Sequence, residues 1–218
     1  FCLLLLTMLV QIVFSFGAFN IDTLFRLVLI TLSYSVYYFI LINLTLLFSL
    51  IFRNATSALS LMIVIWIMWT VFLPKIIGNT VEKISPLPTR VEFNSAMSDD
   101  RSKGIDGHNP TGIRKQELED ATLSKYNVNS IEELPVNFTG ILMQADEDYG
   151  NIVWDKHFGH LYTRLESQKK YYQLSGFINP FSSLQNISMG LSGTDMFYHL
   201  DFLSQAENYR RFLIKTLN

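Results

Sequence analysis

The stretch LSLMIVIWIMWTVFLPKIIGN, residues 59–79, contains the change in composition that decides the fold of this chain. Its apolar part is long enough to cross a bilayer as a helix, which takes about 20 residues. Pro74 and Lys75 lie near the end of that part, and Gly78 and Asn79 follow. From residue 80 onward the composition is that of an ordinary water-facing protein. We therefore expect membrane-spanning helices before this point and a water-facing domain after it.

Two more apolar runs, Phe1–Phe19 and Leu24–Phe52, precede this stretch, and each is long enough to span a bilayer. With Leu59–Ile77 they predict at least three transmembrane helices in residues 1–79, at about 1–19, 24–52 and 59–77. The connections between the runs are short, so successive spans must run antiparallel. Only four side chains in residues 1–79 are charged: Asp22, Arg26, Arg53 and Lys75.

The composition after residue 79 excludes several classes of function. Of the 17 Lys and Arg residues 14 lie there, and of the 19 Asp and Glu residues 18 do, which gives this part a formal charge of −4. A nucleic-acid surface needs a basic patch, so we expect no nucleic-acid partner. Cys2 is the only cysteine, which excludes a disulfide framework. The sequence has no G-x-x-x-x-G-K-[ST] phosphate loop, so we expect no ATP hydrolysis and no enzymatic activity from this chain itself.

The pattern of residues 80–218 is helical throughout, so the predicted fold class is all-α. Apolar residues recur at helical spacing over a long segment from Phe138 to about Leu174. The glycines, Asp, Asn and Pro of Gly104–Pro110 predict a turn, with Asn109 as the cap and Pro110 in the first turn of the next helix. The other predicted helices are Val91–Lys103, a helix ending near Tyr126, Pro180–Leu191, and a final helix from Met196 to the end of the chain.

The pattern most like a metal site is His157-x-x-His160 with Asp155 before it. The two histidines share one helix face, and His108 or His199 could add a ligand. Zinc needs three or four ligands in tetrahedral geometry, and the local pattern provides two. The alternative is that His157 packs between helices or caps one. Asp106 with His108 could form an acid–base or ligand pair, and Thr194, Asp195 and His199 could form a site, but both groups are more typical of turns and caps. Asp146 with Asp148 and Glu132 with Glu133 are more typical of solvated faces than of catalytic carboxylates.

Four motifs occur in order after residue 100, and a fifth lies near the end of the sequence: Gly104–Pro110 (GIDGHNP), Leu134–Gly140 (LPVNFTG), Asp155–Gly159 (DKHFG), Ser188–Asp195 (SMGLSGTD) and Ala206–Arg211 (AENYRR). This series resembles a subgroup of type-2 ATP-binding-cassette (ABC) permeases that carry a helical domain of unknown function before the last membrane helix. The family has no assigned catalytic residues. We interpret its motif residues as turn and cap positions: Gly104, Asp106, Gly107, His108, Pro110, Pro135, Asn137, Gly140, His157, Gly193, Thr194 and Asp195.

The resemblance implies a multi-pass protein of the cell (inner) membrane, with residues 80–218 as an extracytoplasmic, periplasmic domain. Further spans would precede Phe1, and a last span would follow Asn218. A separate ABC ATPase subunit would dock on the cytoplasmic side, near Arg53–Ser57, and would hold the ATP and Mg²⁺, with no cofactor in this chain. A second permease copy or a paralogue, and membrane lipid, would be the other partners. A count of basic residues by the positive-inside rule favours the opposite orientation.

Three functions are therefore open. The first is the permease subunit of an ATP-driven exporter. The second is a membrane-anchored helical interaction or sensor module without transport. The third is a membrane metallohydrolase that uses His157, His160 and a further histidine.

Overall fold

The computed structural model describes residues 20–217, and within them the fold is all-helical, with no strand. The prediction of an all-α fold is confirmed for this part of the chain. A short 3₁₀ turn, Ile131–Glu133, lies in the connector before the longest helix. The helices are α1 (Ile21–Ile51), α2 (Ala55–Ile84), α3 (Arg90–Lys103), α4 (Thr111–Tyr126), α5 (Phe138–Ser175), α6 (Pro180–Leu191) and α7 (Met196–Leu217).

Helices α1 and α2, of 31 and 30 residues, are long and apolar enough to cross a membrane. The buried share of their most apolar window is 6% in α1 and 11% in α2, whereas the core helix of a water-soluble protein is mostly buried. Phe52–Asn54 join the two helices, so they run antiparallel, as predicted from the short connection. The predicted span at residues 1–19 lies outside the described residues.

Helix α2 differs from its prediction. We expected a span that ended at Ile77, with Pro74 near its end, but the helix begins at Ala55 and continues through Pro74 to Ile84. A π-helical turn, Met68–Phe72, ends two residues before the proline. Proline lacks an N–H and its ring crowds the preceding turn, and a widened turn accommodates both effects. The helix ends at Ile84, and the non-helical residues 85–88, with Pro86 and Pro88, follow.

The described residues form two compact units, and the first of them is built from two separate stretches of the chain. One contains the residues up to Ser85 together with those from Glu166 onward, and the other is Pro86–Leu165. The first unit thus combines the two long apolar helices with α6, α7 and the end of α5. The second contains α3, α4 and most of α5. Helix α5 contributes to both units because it is 38 residues long.

Local capping explains where the helices of the second unit begin and end. Thr89 and Glu92 form a reciprocal capping box at the start of α3, with the Thr89 N–H 2.8 Å from Glu92 Oε2. Helix α4 begins at Thr111 with Pro110 in the cap position, so the prediction of Asn109 as the cap and Pro110 as the first helical residue was wrong by one position. Pro110 has the extended backbone that precedes a helix (φ −66°, ψ 158°).

Candidate functional site

In the first unit, helix α6 lies along α1 and runs antiparallel to it. Near the start of α6 the ring of Phe181 lies 6.4 Å from that of Tyr37, in the middle of α1. At the end of α6 the Leu191 carbonyl accepts a hydrogen bond of 3.4 Å from Arg26 Nη1. Arg26 lies near the start of α1. The charged end of α1 therefore contacts the last turn of α6.

Asn179, immediately before α6, joins this helix to α2. Its side chain is fully buried. Its Nδ2 donates to the Trp69 carbonyl oxygen at 2.8 Å and to Ser182 Oγ at 2.8 Å. Its Oδ1 accepts the N–H of Phe181 at 3.1 Å, which caps the first turn of α6. One amide side chain therefore caps α6 and binds the backbone of a candidate membrane span.

The Trp69 carbonyl is available because of the π-helical turn and Pro74. The N–H of Leu73, which an α-helix would direct to Trp69, donates to the Met68 carbonyl instead. The next residue, Pro74, has no N–H to offer Trp69 in the π register. The Asn179 amide thus donates to the carbonyl that this local geometry leaves without a backbone donor. An unpaired carbonyl in an apolar environment is costly, so the bond matters energetically.

A cavity of 530 Å³ lies between α1, α2 and α6. Aromatic side chains make up half of its lining, and Gln185 and Ser188 of α6 add polar groups. The aromatic residues are Tyr34, Tyr37, Tyr38, Trp66 and Phe181. The cavity is a candidate binding region within the first unit because it combines apolar walls with a few polar groups.

In the second unit, the predicted turn at Gly104–Pro110 is closed by its own hydrogen bonds. Asp106 Oδ1 accepts the backbone N–H of His108 at 3.1 Å, and His108 Nδ1 lies 2.7 Å from the Asp106 carbonyl oxygen. The hydrogen bond from the His108 backbone holds the pKa of Asp106 below its ordinary value. Gly104 has φ +95°, and a Cβ there would lie 2.7 Å from the Asn109 carbonyl oxygen. Only glycine fits this position.

Asp100, near the end of α3, connects that helix to α5. Its Oδ2 lies 2.5 Å from Lys156 Nζ and 2.8 Å from His157 Nε2. Its partial burial raises the pKa of the carboxyl, but the hydrogen bonds from Lys156 and His157 outweigh this, and the pKa lies below its ordinary value. The ring of Phe93 meets the His157 ring edge-on, with centroids 5.9 Å apart. His157 therefore occupies an interhelical contact.

The structure does not bring the candidate metal ligands together. In residues 20–217, no group of three or more His, Cys, Asp or Glu side chains could hold a metal ion. His157 Nε2 faces Asp100, His108 is bound to its own turn, and His160 is exposed. His160 and His157 both line a groove of 610 Å³ between α3 and α5.

The remaining motif residues lie at helix starts and turns. Asn137 Oδ1 accepts the Thr139 N–H at 3.0 Å where α5 begins. Asp195 is buried, and its Oδ1 accepts the Tyr198 N–H at 3.1 Å in the first turn of α7. Gly193 has a positive φ of 66°, in the turn before Asp195. The others lie nearby: Pro135 in the connector before α5, Gly140 in its first turn, Gly107 in the Gly104–Pro110 turn, and Thr194 beside Asp195.

Sequence reasoning missed the residues that make the long-range contacts. In the second unit these include Tyr149, whose hydroxyl accepts the Ile105 N–H at 2.8 Å and whose ring lies 3.7 Å below the Arg114 guanidinium. In the first unit they are Asn179 and Trp69. Two sequence signals point to the second pair: an Asn-Pro dipeptide that opens a helix, and a proline inside an apolar run that leaves a carbonyl without a donor.

A family described as Domain of unknown function (DUF3526) matches residues 90–218, which is more than half of the chain. The chain belongs to the DUF3526 family. Its match begins at Arg90, the first residue of α3. The DUF3526 region thus includes the turn at Gly104–Pro110, the Asp100 contact and Asn179. The comparisons with curated proteins and with solved structures found no similar chain.

Proposed function

We propose that this DUF3526 protein is the membrane-spanning permease subunit of an ATP-driven ABC-type exporter and works with a separate ATPase subunit. The observation that carries the proposal is the joint between Asn179 and the Trp69 carbonyl. It attaches the DUF3526 region directly to a long apolar helix at the position where that helix changes register. The order of the five sequence motifs supports the same family of permeases.

In this proposal the chain performs no covalent chemistry. ATP binding draws the partner ATPases together, and the spans tilt in response. The π-helical turn at Met68–Phe72 and Pro74 form the position at which α2 bends, because helix bends concentrate at prolines and π-bulges. Asn179 transmits the bend to α6, and the motion changes access to the aromatic cavity beside Tyr37.

The proposed arrangement places the protein in the inner membrane as a multi-pass subunit. The Phe52–Asn54 turn faces the cytoplasm, where Arg53 offers a charged contact to the ATPase. The DUF3526 region lies on the extracytoplasmic side, and a second permease copy or paralogue completes the pathway.

Affinity capture of the tagged protein from its native membranes tests the proposal. We expect an ABC ATPase to co-purify, and we expect this chain alone to bind no ATP. Arg53→Glu should reduce recovery of the ATPase, whereas Lys75→Glu, in the half of α2 far from that turn, should leave it unchanged. A stoichiometric complex that contains no ATPase would contradict the proposal.

A further inference from the structure

The end of α5 and all of α6 lie in a segment without charge. From Tyr171 to Thr194 the sequence contains 24 consecutive residues with no Asp, Glu, Lys or Arg, although the rest of the region after residue 79 is rich in them. This segment forms a helical hairpin: α5 ends at Ser175, a short turn follows, and α6 begins at Pro180. Gly176 permits the tight turn, because a Cβ there would lie 2.6 Å from Ser183 Oγ.

The tip of this hairpin exposes large apolar side chains. Phe177 is 91% exposed and Ile178 is 76% exposed. Leu174, one turn earlier on α5, is also more than half exposed. Two adjacent apolar side chains that project from an uncharged tip mark a contact with an apolar partner.

The depth of the tip follows from its contacts with α1 and α2. Tyr37 and Trp69, which face α6 and Asn179, each lie 14 residues from the end of their helix at the Phe52–Asn54 turn. At 1.5 Å per residue this is about 21 Å, within a hydrocarbon core of about 30 Å. The far edge of that core then falls about 9 Å beyond Trp69. Lys75 is the first charged residue of α2 after Trp69. It lies six residues beyond Trp69, or about 9 Å along the helix, which places its charge at that edge of the hydrocarbon core.

The backbone of the tip is suited to a position inside the membrane, where each unpaired N–H is costly. Four successive N–H groups, from Gly176 to Asn179, donate to carbonyl groups at the end of α5. The Gly176 carbonyl accepts a bond of 2.7 Å from Ser183 Oγ. At the start of α6, Pro180 has no N–H, and Asn179 accepts from the N–H groups of Phe181 and Ser183.

We propose that Tyr171–Thr194 is a re-entrant helical hairpin whose tip, with Phe177 and Ile178, inserts among the lipid acyl chains from the side opposite the Phe52–Asn54 turn. This inference rests on the placement of α1 and α2 as membrane spans in the proposed function. It goes beyond that function, because it assigns part of the DUF3526 region to the bilayer and names lipid as the partner of its tip. The occupant is acyl chain because the tip lies at hydrocarbon depth, bears no charge and has the N–H groups of residues 176–179 paired.

The test places an environment-sensitive fluorophore on single cysteines in the intact protein, after Cys2→Ser, in phosphatidylcholine vesicles that carry lipid brominated midway along the acyl chains. The test positions are Phe177→Cys and Ile178→Cys, which are exposed and so tolerate the change. Leu46→Cys in α1 (58% exposed) is the control for a membrane span, and Val91→Cys in α3 (78% exposed) is the control for a water-facing helix.

We expect brominated lipid to quench the labels at Phe177 and Ile178 about as strongly as the label at Leu46, and to leave the label at Val91 unchanged. Quenching at Leu46 without quenching at either tip position would overturn the hairpin, and would assign the tip to water or to a protein partner, while the spans stand. An absence of quenching at Leu46 as well would overturn the membrane placement of α1, and with it both the hairpin and the proposed function.

Discussion

Replacement of Asn179 by Leu removes the joint between α6 and α2 with little change in side-chain volume. The change leaves the Trp69 carbonyl without its 2.8 Å donor and the Phe181 N–H without its cap. A buried polar group without a partner costs about 1–3 kcal/mol, and loss of an N-cap costs about 1 kcal/mol. We therefore expect Asn179→Leu to lower the free energy of unfolding by about 2–4 kcal/mol.

Pro74→Ala provides the second half of the test. Alanine supplies a backbone N–H and removes the ring, so α2 is free to return to α-helical register and to pair the Trp69 carbonyl from within the helix. In this background the carbonyl no longer depends on Asn179, and Asn179→Leu should cost only the cap, about 1 kcal/mol. The double-mutant cycle should therefore give a coupling energy of about 1–3 kcal/mol between Pro74 and Asn179.

The assay is unfolding of the purified protein in mixed micelles with increasing SDS, followed by far-UV circular dichroism and tryptophan fluorescence. Asn43→Leu is the matched control, because Asn43 is exposed and bonds only to the Phe39 carbonyl of its own helix at 2.7 Å. We expect that control to be within about 0.5 kcal/mol of the unmodified protein. Equal costs for Asn179→Leu in the unmodified protein and in the Pro74→Ala variant would refute the account of the π-helical turn.

Three further predictions concern other contacts. Gly104→Ala should destabilise the second unit by about 2–3 kcal/mol, because residue 104 has a positive φ and the new Cβ would clash with the Asn109 carbonyl oxygen. Gly107→Ala is the control: residue 107 also has a positive φ but has no atom within 4 Å of the new Cβ, so it should cost about 1 kcal/mol. Thermal melts of the two variants measure both costs. The pKa of Asp100 is lowered in the folded state, so its contribution to the free energy of unfolding is complete at neutral pH and is lost as the pH falls below the ordinary Asp pKa of about 4. Asp100→Asn should therefore lower the free energy of unfolding by about 1–2 kcal/mol at pH 7. The same change should flatten the pH dependence of the melting temperature in that acid range. Glu207→Gln should destabilise α7, because Arg210 and Arg211 each bond to its carboxylate at 2.8 Å, and the loss should shrink at high salt in denaturant titrations; a loss that does not depend on salt would contradict an ionic origin.

The helices of this chain could be predicted from sequence because the signals that define them are local. Apolar periodicity and the glycine after Ser175 indicated α5 to within one residue at its end. The predicted starts at Pro180 and Met196 match the starts of α6 and α7, and the Gly-Thr-Asp turn indicated the second of them. Each of these signals depends on residues within one or two helical turns, so no knowledge of the tertiary structure was needed.

The end of α2 and the partners of the buried side chains could not be predicted in the same way. Pro74 near the end of the apolar run predicts that the span is ending, since a proline usually ends or kinks a helix. The helix continues to Ile84, and Asn179, 105 residues after the proline, pairs the carbonyl that the proline leaves free. For His157 the local spacing left both a metal ligand and a packing residue between helices open; the structure supports the second, but the partner, Asp100 on another helix, could not be read from the sequence. Both outcomes depend on contacts between distant parts of the chain.

In the proposed function, ATP use by a partner subunit changes the arrangement of the spans in this chain. The most informative measurement is the rate at which a water-soluble thiol reagent modifies a single cysteine at Ser188, which lines the aromatic cavity between α1, α2 and α6, in the captured complex reconstituted in nanodiscs. We predict a several-fold change in that rate between the nucleotide-free complex and the complex trapped with ATP and vanadate, and no change in the chain without its ATPase. Equal rates with and without trapped ATP would contradict the claim and would favour a membrane-anchored interaction module.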